Sequence, residues 1–428
     1  MSDPPPDASA PGDRRDAATW TPWRAVFAFG LVSLAADMVY EGMRAVAGPF
    51  LGSLGASAFT VGLVTGTGEA AALVLRLVTG PWADRSGRHW SLTVAGYTMT
   101  AVCVPLLAVT PYVGAAGVGV AATLILLERT GKAVRSPSKS ALLARMAVQT
   151  GQGRGFAVHK SLDQVGAFAG PLLLAGVAAV TGVYWPGFAL LAVPGLLSLL
   201  LLAQLRRRVP SLTEPDPHDD AVDGSDAQSS GGVLRGLGAA VFGSGLPRVF
   251  HLFSLSAALT TAGLMTFGVI SYRFVDAGVV TLAAVPVVYA LAMAVEAVAA
   301  LLTGDLFDRW GPRVLLGVPV LTVLVPLSVF SDRLWLVLVG LVVWGAGTGV
   351  QDSTVKAYVA SLVAPGRRAT AYGVFAAVQG AGALFGGVLA GALVVHHVSL
   401  LAVLVAVLQM SAFALLLLTL RLLSLIHI

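Results

Sequence analysis

The stretch GPWADRSGR, from Gly80 to Arg88, recurs in degenerate form as GDLFDRWGP, from Gly304 to Pro312. The two copies stand 224 residues apart, about half of the chain. Each is a charged, glycine-bearing segment between two long apolar runs, which predicts a short loop. A charged segment that recurs at this distance in an apolar sequence indicates a duplicated membrane unit.

The composition of the chain is that of a membrane protein. Of its 428 residues, 56% are hydrophobic and only 11% are charged, whereas soluble domains average roughly 25% charged residues. A spanning helix needs about 20 apolar residues, so the chain has room for roughly a dozen. Because the apolar runs are long and continuous rather than short and alternating, we predict an all-α integral membrane protein.

Twelve apolar runs predict twelve transmembrane helices, numbered here as spans 1 to 12. They cover residues 25–51, 58–79, 91–110, 113–137, 155–181, 184–204, 249–271, 280–303, 314–330, 334–362, 370–394 and 398–420. Between spans 6 and 7 the sequence becomes rich in Pro, Asp, Ser and Gly, which predicts a linker. The expected organisation is an N-terminal tail, a six-helix bundle, a cytoplasmic linker, a second six-helix bundle and a C-terminal tail, at 1–24, 25–204, 205–248, 249–421 and 422–428.

Basic residues lie on one side of the predicted bundle, which explains the net charge of +5 without a nucleic-acid partner. They precede span 1 and follow every even-numbered span, whereas the opposite loops hold little beyond Arg273 and Arg333. By the positive-inside rule both termini are cytoplasmic. We expect a multi-pass protein of the inner (plasma) membrane, without a cleavable signal peptide, because residues 1–19 lack an apolar core.

The two predicted bundles also match each other along spans 4, 5, 10 and 11. With Gly131 placed on Gly347, an ungapped offset of 216 residues also places Gly166 on Gly382. Two homologous halves that differ slightly in length are the simplest account of the offsets of 216 and 224.

The chain resembles the major facilitator superfamily. That family carries the pattern Gly-x-x-x-Asp-Arg-x-Gly-Arg between its second and third helices, matched here by Gly80, Asp84, Arg85, Gly87 and Arg88. Its second, degenerate copy is matched by Gly304, Asp308, Arg309 and Gly311. His89 stands where a further basic residue is usual, and Pro312 replaces the final Arg. The resemblance covers residues 25–420 and implies twelve helices in two pseudosymmetric bundles and secondary transport by alternating access.

A narrower resemblance concerns span 5. Gly166, Gly170, Pro171 and Gly176 are similar to part of the glycine-rich motif of drug/proton antiporters, which favours export. Small residues at four-residue spacing also let helix backbones approach closely, so packing alone is the alternative. The same holds for Gly345, Gly347 and Gly349, which lack the preceding strand of a dinucleotide site.

The charged motif has a plausible chemistry at a helix end. We expect Asp84 to pair with a basic residue or with the positive end of a helix from the other half, and so to latch the halves together on the cytoplasmic side. Arg85 and Arg88 can reach lipid phosphates, while Gly80 and Gly87 permit a tight turn. The alternative is a solvated basic loop that only sets the topology.

Span 1 carries charges at membrane depth, where ionisable groups are costly and mark substrate or proton paths. Asp37 and Glu41 are four residues apart and share a helix face with Arg44. Asp37, near the middle of the span, is the first candidate for a proton carrier. A permanent pair of Asp37 or Glu41 with Arg44 is the alternative.

Two further acids, Glu69 in span 2 and Glu296 in span 8, are candidates for the same path, with Arg76 a conceivable partner of Glu69. In span 4, Arg129 stands in the place of an arginine that many proton-linked members of the superfamily carry, although the residues after it depart from the common pattern. Glu128 and Lys132 are spaced to pair with each other, and Pro137 is expected to end or kink this span.

Polar groups in spans 5, 10 and 11 complete the expected cavity. Lys160 with Asp163, and Asp352 with Lys356, have the spacing of local ion pairs. Spans 1, 4, 5, 8, 10 and 11 are expected to line the cavity, and span 7 and the nearly featureless spans 3, 6, 9 and 12 are not. The candidate residues for proton coupling or substrate binding are Asp37, Glu41, Arg44, Glu69, Arg129, Lys160, Asp163, Glu296, Gln351, Asp352 and Gln379.

These features predict a secondary active transporter that moves a small organic solute, with proton-coupled efflux as the first hypothesis. A proton-linked importer of an anionic nutrient or metabolite and a non-transporting membrane receptor or assembly protein are the alternatives. An enzyme is not expected, nor a metal or other cofactor, since Cys103 is the only cysteine and there is no P-loop. The expected energy source is the proton gradient, and the expected partners are the solute and the lipid bilayer, with the chain acting as a monomer.

Overall fold

A computed structural model of the chain describes residues 20–148, 150–209, 246–364 and 367–426. Most of the predicted N-terminal tail and linker lies outside these residues. We call residues 20–209 the N-terminal half and residues 246–426 the C-terminal half. Every element of regular secondary structure in the described part is helical, which confirms the all-α prediction.

The N-terminal half contains eight α-helices, which we number α1 to α8. They are Pro22–Ser53, Ala58–Val74, Arg76–Ser86, His89–Leu106, Gly117–Ala147, Gln152–Thr181, Trp185–Leu190 and Ala192–Arg208. The C-terminal half contains α9 to α16, which are Arg248–Leu264, Phe267–Asp276, Ala284–Trp310, Gly317–Val329, Leu334–Asp352, Thr354–Ser361, Arg368–Leu393 and Val398–Ile426.

Ten helical segments in the described ranges are long and apolar enough to cross a membrane. Helix α5, in the place of span 4, is not among them because the charges in its middle lower its hydropathy. One of these segments, Ala284–Val329, contains both span 8 and span 9, with α11 and α12 separated by the short 3-10 helix Gly311–Leu316. The membrane class is thus confirmed, whereas twelve separate crossings remain a prediction.

The duplicated charged motif is helical rather than a loop, so that prediction was wrong. Residues from Gly80 to Ser86 form the end of α3, and Gly87 closes the helix with φ of +61°. In the second copy α11 continues to Trp310, and Gly311 has φ of +66°. A left-handed residue at this position suits glycine, which has no Cβ to clash. The motif therefore repeats a helix and its terminator.

Three further expectations, about spans 4, 7 and 10, need correction. Pro137 does not end span 4, since α5 continues through it to Ala147. Span 7 is broken at Met265, a non-glycine residue with φ of +59°, between α9 and α10. Span 10 is broken at Ser353, between α13 and α14. Broken helices free backbone groups from the helical ladder, and membrane proteins tolerate them where they are buried in protein or line a cavity.

One helix contact occurs in both halves, at glycines that the 216-residue offset relates. A Cβ at either glycine of α6 would overlap with a backbone carbonyl of α1, and a Cβ at either glycine of α15 would overlap with one of α9. The pairs are Gly166 with Leu34, Gly170 with Met38, Gly382 with Ala258 and Gly386 with Ala262. The carbonyl partners differ by 224 residues, so the two halves use the same close approach of backbones.

The halves meet where α2 lies against α15. A Cβ on Gly66 would stand 3.2 Å from the carbonyl oxygen of Ala383, and one on Gly391 would stand 2.5 Å from that of Ala58. Gly62 and Gly387 also face each other's backbone. We call these four glycines and their partners the glycine seam.

Candidate functional site

A cavity of about 170 Å³ lies between the two halves. Its wall combines aromatic side chains, among them Trp344 and Phe267, with seven residues that are formally charged at neutral pH. The charged residues are Arg44, Glu69, Arg76, Lys132, Glu296, Asp352 and Lys356. Concave sites with apolar walls and a few convergent polar groups are typical of small-molecule binding.

Two wider recesses adjoin this cavity. One, of about 490 Å³, shares Arg76 and Lys356 with the cavity and continues past Gly80 and Asp84. The other, of about 580 Å³, shares Glu296, Asp352 and Lys356 with it and continues along Lys160 of α6. Both recesses therefore extend toward the end of the bundle that carries the charged motif, which the sequence predicts to be cytoplasmic.

The opposite end is closed by apolar packing. The ring of Phe50 meets that of Phe188 edge to face, with 4.6 Å between centroids, and Phe267 packs at 4.6 Å from Tyr289. The hydroxyl of Tyr184 donates a hydrogen bond of 2.6 Å to the carbonyl oxygen of Leu282, which joins the two halves. The structure thus shows a cavity that is open toward the motif end and closed at the other end.

The set of helices around the cavity differs from the expected set in spans 2, 5 and 7. Span 2 contributes Glu69 and Arg76, and span 7 contributes its break from Leu264 to Thr266. Span 7 was excluded because it has few charged side chains, whereas the structure uses its backbone: Trp344 donates a hydrogen bond of 2.8 Å to the freed carbonyl of Leu264. Span 5 lines one recess rather than the central cavity.

Arg44 lies at the centre of a charge network that links α1, α2 and α5. Its Nε is 3.3 Å from Glu69, and Nη1 of Arg129 is 3.6 Å from the same carboxylate oxygen. Arg129 also donates a hydrogen bond to the hydroxyl of Tyr40, and its guanidinium lies 4.4 Å from the ring centroid. Glu69 therefore pairs with these two arginines and not with Arg76.

The same network reaches the C-terminal half through Tyr289 of α11. Arg44 donates a hydrogen bond of 3.1 Å to the Tyr289 hydroxyl, which in turn donates one to the carboxylate of Glu41. Glu41 and Arg44 are 3.7 Å apart, so the alternative of a pair within span 1 is correct for Glu41. It is wrong for Asp37, which pairs elsewhere.

Asp37 belongs to a second cluster, buried between α1, α5 and α6 and outside the central cavity. Its carboxylate is 3.8 Å from Arg135 and lies close to that of Asp163. Asp163 accepts hydrogen bonds of 2.6 Å from Ser33 and 3.1 Å from Lys139. We call Asp37, Asp163, Lys139 and Arg135, with Ser33, the acid pair cluster.

The expected pair of Glu128 with Lys132 does not form. Glu128 is fully buried, accepts a hydrogen bond of 3.1 Å from Thr100 and is 3.6 Å from Arg129. Lys132 instead donates to the hydroxyl of Tyr40, with its ammonium 3.7 Å from the ring centroid. Both residues lie on α5, but they face different neighbours, so their four-residue spacing is not used.

Both of the other expected local pairs are confirmed. Lys160 is 3.2 Å from Asp163, and Lys356 is 2.9 Å from Asp352. Gln379 and Gln351 lie side by side in the cavity wall at a distance of 3.5 Å. Glu296 accepts a hydrogen bond of 3.4 Å from Thr348 and has no ion pair among the residues that the structure describes.

The charged motif lies at the rim of the recess. Asp84 is exposed there, facing the first turn of α15 at Thr370 and Gly373. Arg85 and Arg88 are exposed as well. In the second copy Arg309 forms an exposed pair of 2.8 Å with Asp305, and Asp308 is exposed. The structure thus places the proposed latch across an open recess from the helix end that it is expected to meet.

The sequence reasoning missed three contributors to the site. Tyr289 is an uncharged residue in an apolar run, so nothing in its surroundings singled it out. Arg76 was considered only as a partner of Glu69, and Lys132 was considered as a partner of Glu128 rather than as a residue of the cavity wall. The twist that turns these last two side chains inward depends on helix packing, which the spacing of charges does not encode.

The family model described as Major Facilitator Superfamily matches residues 25–325 and 233–425. The chain belongs to this superfamily. Its fold and cavity accordingly are those of a secondary transporter and not of an enzyme, and a transporter of this kind binds a small solute within a lipid bilayer.

Within the superfamily, the chain is 48% identical over 391 residues to the uncharacterized proteins Mb2288 of Mycobacterium bovis and Rv2265 of Mycobacterium tuberculosis, with 91% of each chain covered. A more distant relative, the uncharacterized MFS-type transporter MJ1317 of Methanocaldococcus jannaschii, is 26% identical over 149 residues, or 35% of this chain and 36% of its own.

Solved transporter structures share the fold. A mutant of the nucleoside transporter NupG superposes with a TM-score of 0.73 at 15% identity, covering 92% of this chain and 99% of NupG. A mutant of the peptide transporter POT superposes with a TM-score of 0.70 at 15% identity, covering 93% and 94%. A bacterial homologue of the lysosomal transporter Spinster, in an inward-facing and occupied conformation, gives 0.64 at 18% identity, covering 94% and 96%.

Proposed function

We propose that this superfamily member exports a small organic solute from the cell in exchange for protons that enter. The central cavity is the proposed solute site, and the acid pair cluster is the proposed proton site. The observation that carries this proposal is the position of both sites on one helix: α1 holds Asp37 in the cluster and, two turns further along, Arg44 in the cavity.

The acid pair cluster has the chemistry of a proton site. Two carboxyl groups that lie close together repel each other when both are ionised, which favours a shared proton. Asp163 holds the charge, because Lys139 and Ser33 donate to it. Asp37 is the group left to take up and release the proton, in agreement with its place as first candidate in the sequence.

Coupling follows from the neighbours of Asp37. Arg135 is its nearest cation, and Arg135 lies on α5 together with Lys132 and Arg129, which reach Tyr40 at the cavity wall. Protonation of Asp37 removes the attraction on Arg135 and allows α5 to shift against α1. A solute that binds at the cavity wall changes the contacts of the same two helices, which is the requirement for linkage between two sites.

Export is the proposed direction because the glycines and Pro171 of α6 resemble the motif of drug/proton antiporters. Proton-linked import of an anionic solute is the second candidate. It is favoured by Arg76 and Lys132, two cations in the cavity wall without an ion pair among the described residues.

The experiment that tests the proposal uses purified protein in liposomes that enclose a pH-sensitive dye, with valinomycin and potassium to clamp the membrane potential. A panel of anionic, cationic and amphoteric solutes is added outside. In exchange, solute entry drives protons out and the lumen becomes alkaline; in cotransport the lumen becomes acidic. The sign of the dye signal therefore decides between the two candidates, independently of the orientation of the protein.

The variant Asp37→Asn is expected to lose the dye response while it still binds the active solute. Asp276→Asn, which alters an acid of the exposed pair with Arg273 at the closed end, is the matched control and keeps the response. Solute flux without any proton movement in the unmodified protein contradicts proton coupling. A full response in Asp37→Asn places the proton carrier elsewhere.

A further inference from the structure

The charges in the cavity wall do not cancel one another. Among the seven charged lining residues, Arg44 pairs with Glu69 at 3.3 Å and Lys356 pairs with Asp352 at 2.9 Å. Three residues have no ion pair among those that the structure describes, namely Arg76, Lys132 and Glu296. Because charges at membrane depth are costly when unpaired, such residues mark the place of a ligand with matching charges.

Arg76 is the strongest of the three. Its Nε is buried and has no hydrogen-bond partner among the described residues, although buried donors in proteins are nearly always paired. The side chain lines both the central cavity and the recess that leads to it. A guanidinium group with free donors matches the geometry of a carboxylate or of a phosphorus oxoacid, which it binds with two parallel hydrogen bonds.

Lys132 adds a second positive group on the same half. Its ammonium lies over the Tyr40 ring at 3.7 Å from the centroid and donates to the Tyr40 hydroxyl. Two of its three donor positions remain for a ligand, since an ammonium group carries three hydrogens. Arg76 and Lys132 therefore form a basic wall, contributed by α3 and α5 of the N-terminal half.

Glu296 supplies the opposite charge from the C-terminal half. It lines the central cavity and the second recess, and its one hydrogen bond in the described structure comes from the Thr348 hydroxyl. A carboxylate has about four acceptor positions, so most remain for a ligand. A protonated amine is the hydrogen-bond donor whose charge matches these free acceptor positions.

We propose that the cavity binds amphoteric solutes, in which an acidic group contacts Arg76 and Lys132 and a protonated amino group contacts Glu296. The inference rests on the proposed transport function and adds the substrate class. Because the acidic group meets the N-terminal half and the amino group meets the C-terminal half, only a solute with both charges bridges the halves. The wall thereby selects against solutes with a single charge.

The same pair of charges occurs in a free amino acid or short peptide and in the headgroup of phosphatidylethanolamine. The test therefore uses four probe scaffolds: β-alanine, the dipeptide Ala-Ala, 2-aminoethylphosphonate and lysophosphatidylethanolamine. Each peptide or amino-acid probe is paired with an N-acetylated and an amidated form, which removes one charge at a time. Binding is measured as stabilisation of the purified full chain against heat in detergent.

At least one zwitterionic probe is expected to stabilise the protein, and the forms with one charge removed are expected to bind at least about tenfold more weakly. Stabilisation by the lysolipid alone assigns the chemistry to a lipid headgroup, and stabilisation by a water-soluble probe assigns it to a free solute. The absence of stabilisation by every zwitterion, or equal binding of a single-charge form, overturns the proposal.

Variants that remove a charge test whether the probes bind through Arg76 and Glu296. Arg76→Gln is expected to lose the preference for the free acid over the amide, and Glu296→Gln the preference for the free amine over the acetylated form. Arg76→Lys, which keeps the charge, retains the preference and shows that a loss in Arg76→Gln is not a failure to fold. Arg333→Gln and Asp332→Asn, exposed at the other end of the chain's bundle, are the matched controls.

Different results overturn the proposed substrate class and the proposed transport mechanism. If zwitterions bind through Arg76 and Glu296 but their flux moves no protons, the proton coupling is wrong and the substrate class stands. If flux of a neutral or singly charged solute drives protons, the transport function stands and the substrate class is wrong.

Discussion

Tyr289 donates a hydrogen bond to Glu41, a residue 248 positions away in the opposite half. The same hydroxyl accepts a hydrogen bond of 3.1 Å from Arg44. These two bonds lie beside the apolar packing at the closed end, where Phe267 packs against the Tyr289 ring. The hydroxyl oxygen of Tyr289 thus links two charged groups of α1 to α11 and holds the two halves together at that end.

The variant Tyr289→Phe is expected to open the closed end more often, because it removes both hydrogen bonds and keeps the ring. The loss of roughly 1 kcal/mol corresponds to an increase in opening of about fivefold. Opening is measured as the rate of thiol labelling at Ser271→Cys, a fully buried position at that end, in a Cys103→Ser background. Tyr97→Phe is the control, since the buried Tyr97 hydroxyl has no hydrogen-bond partner in the part of the chain that the structure describes. An equal labelling rate in Tyr289→Phe and the control contradicts the role of Tyr289.

The repeated glycine contact predicts matched losses of stability in the two halves. Gly166→Ala places a Cβ against the carbonyl of Leu34, and Gly382→Ala places one against that of Ala258. Each is expected to cost about 1–3 kcal/mol, because backbone must move. Gly176→Ala, on the same helix as Gly166 but with nothing within 4 Å, is expected to leave the melting temperature unchanged or slightly raised. Similar melting temperatures for all three variants speak against the close contact.

The position of Asp84 predicts that its substitution changes the balance between the forms that are open and closed at the motif end. It faces the first turn of α15 across the recess, and closure of the recess brings the carboxylate to the positive end of that helix. Asp84→Asn removes this attraction and is expected to favour the form that is open at the motif end. Distances between spin labels at Ser86 and Thr370, on the two sides of the recess, measure the balance.

Asp308→Asn, the equivalent change in the degenerate copy, is expected to shift the label distances less, since the complete motif is the stronger candidate for the latch. If Asp84→Asn leaves both the label distances and the transport rate as they are, Asp84 is no latch.

Asp163 pairs with two lysines, Lys139 and Lys160, that differ in exposure. Lys139 is largely buried, with 19% of its side chain exposed, whereas Lys160 has 67% exposed. Lys139→Gln is expected to destabilise the protein by about 3–5 kcal/mol, because it leaves the buried Asp163 without its main partner. Lys160→Gln is expected to cost about 1 kcal/mol or less, because solvent screens exposed pairs. Chemical denaturation in detergent measures both, and equal losses contradict the assignment.

The fold class could be predicted from the sequence because each apolar run and each motif is informative by itself. Long apolar runs report membrane helices without reference to tertiary structure, and the paired motifs at Gly80 and Gly304 report the duplication. Local ion pairs such as Lys160 with Asp163 were also predictable, since one helix fixes their spacing.

The partners across helices were not predictable in the same way. Glu69 was weighed against Arg76 on its own span, but the structure pairs it with Arg44 and Arg129 of two other helices. Glu128 and Lys132 share a helix face in sequence, but packing gives each a different neighbour. The break at Met265 also has no signal in composition, because a non-glycine residue with positive φ is held by its surroundings.

The glycine seam has a consequence for the turnover rate of the transporter. Where Gly62 and Gly66 of α2 meet Gly387 and Gly391 of α15, backbone lies directly against backbone. One helix can therefore move past the other without changes of side-chain rotamer, so the seam offers little resistance to sliding. The energy barrier of each cycle then resides in the contacts at the two ends of the bundle, and turnover can be tuned there without rebuilding the middle.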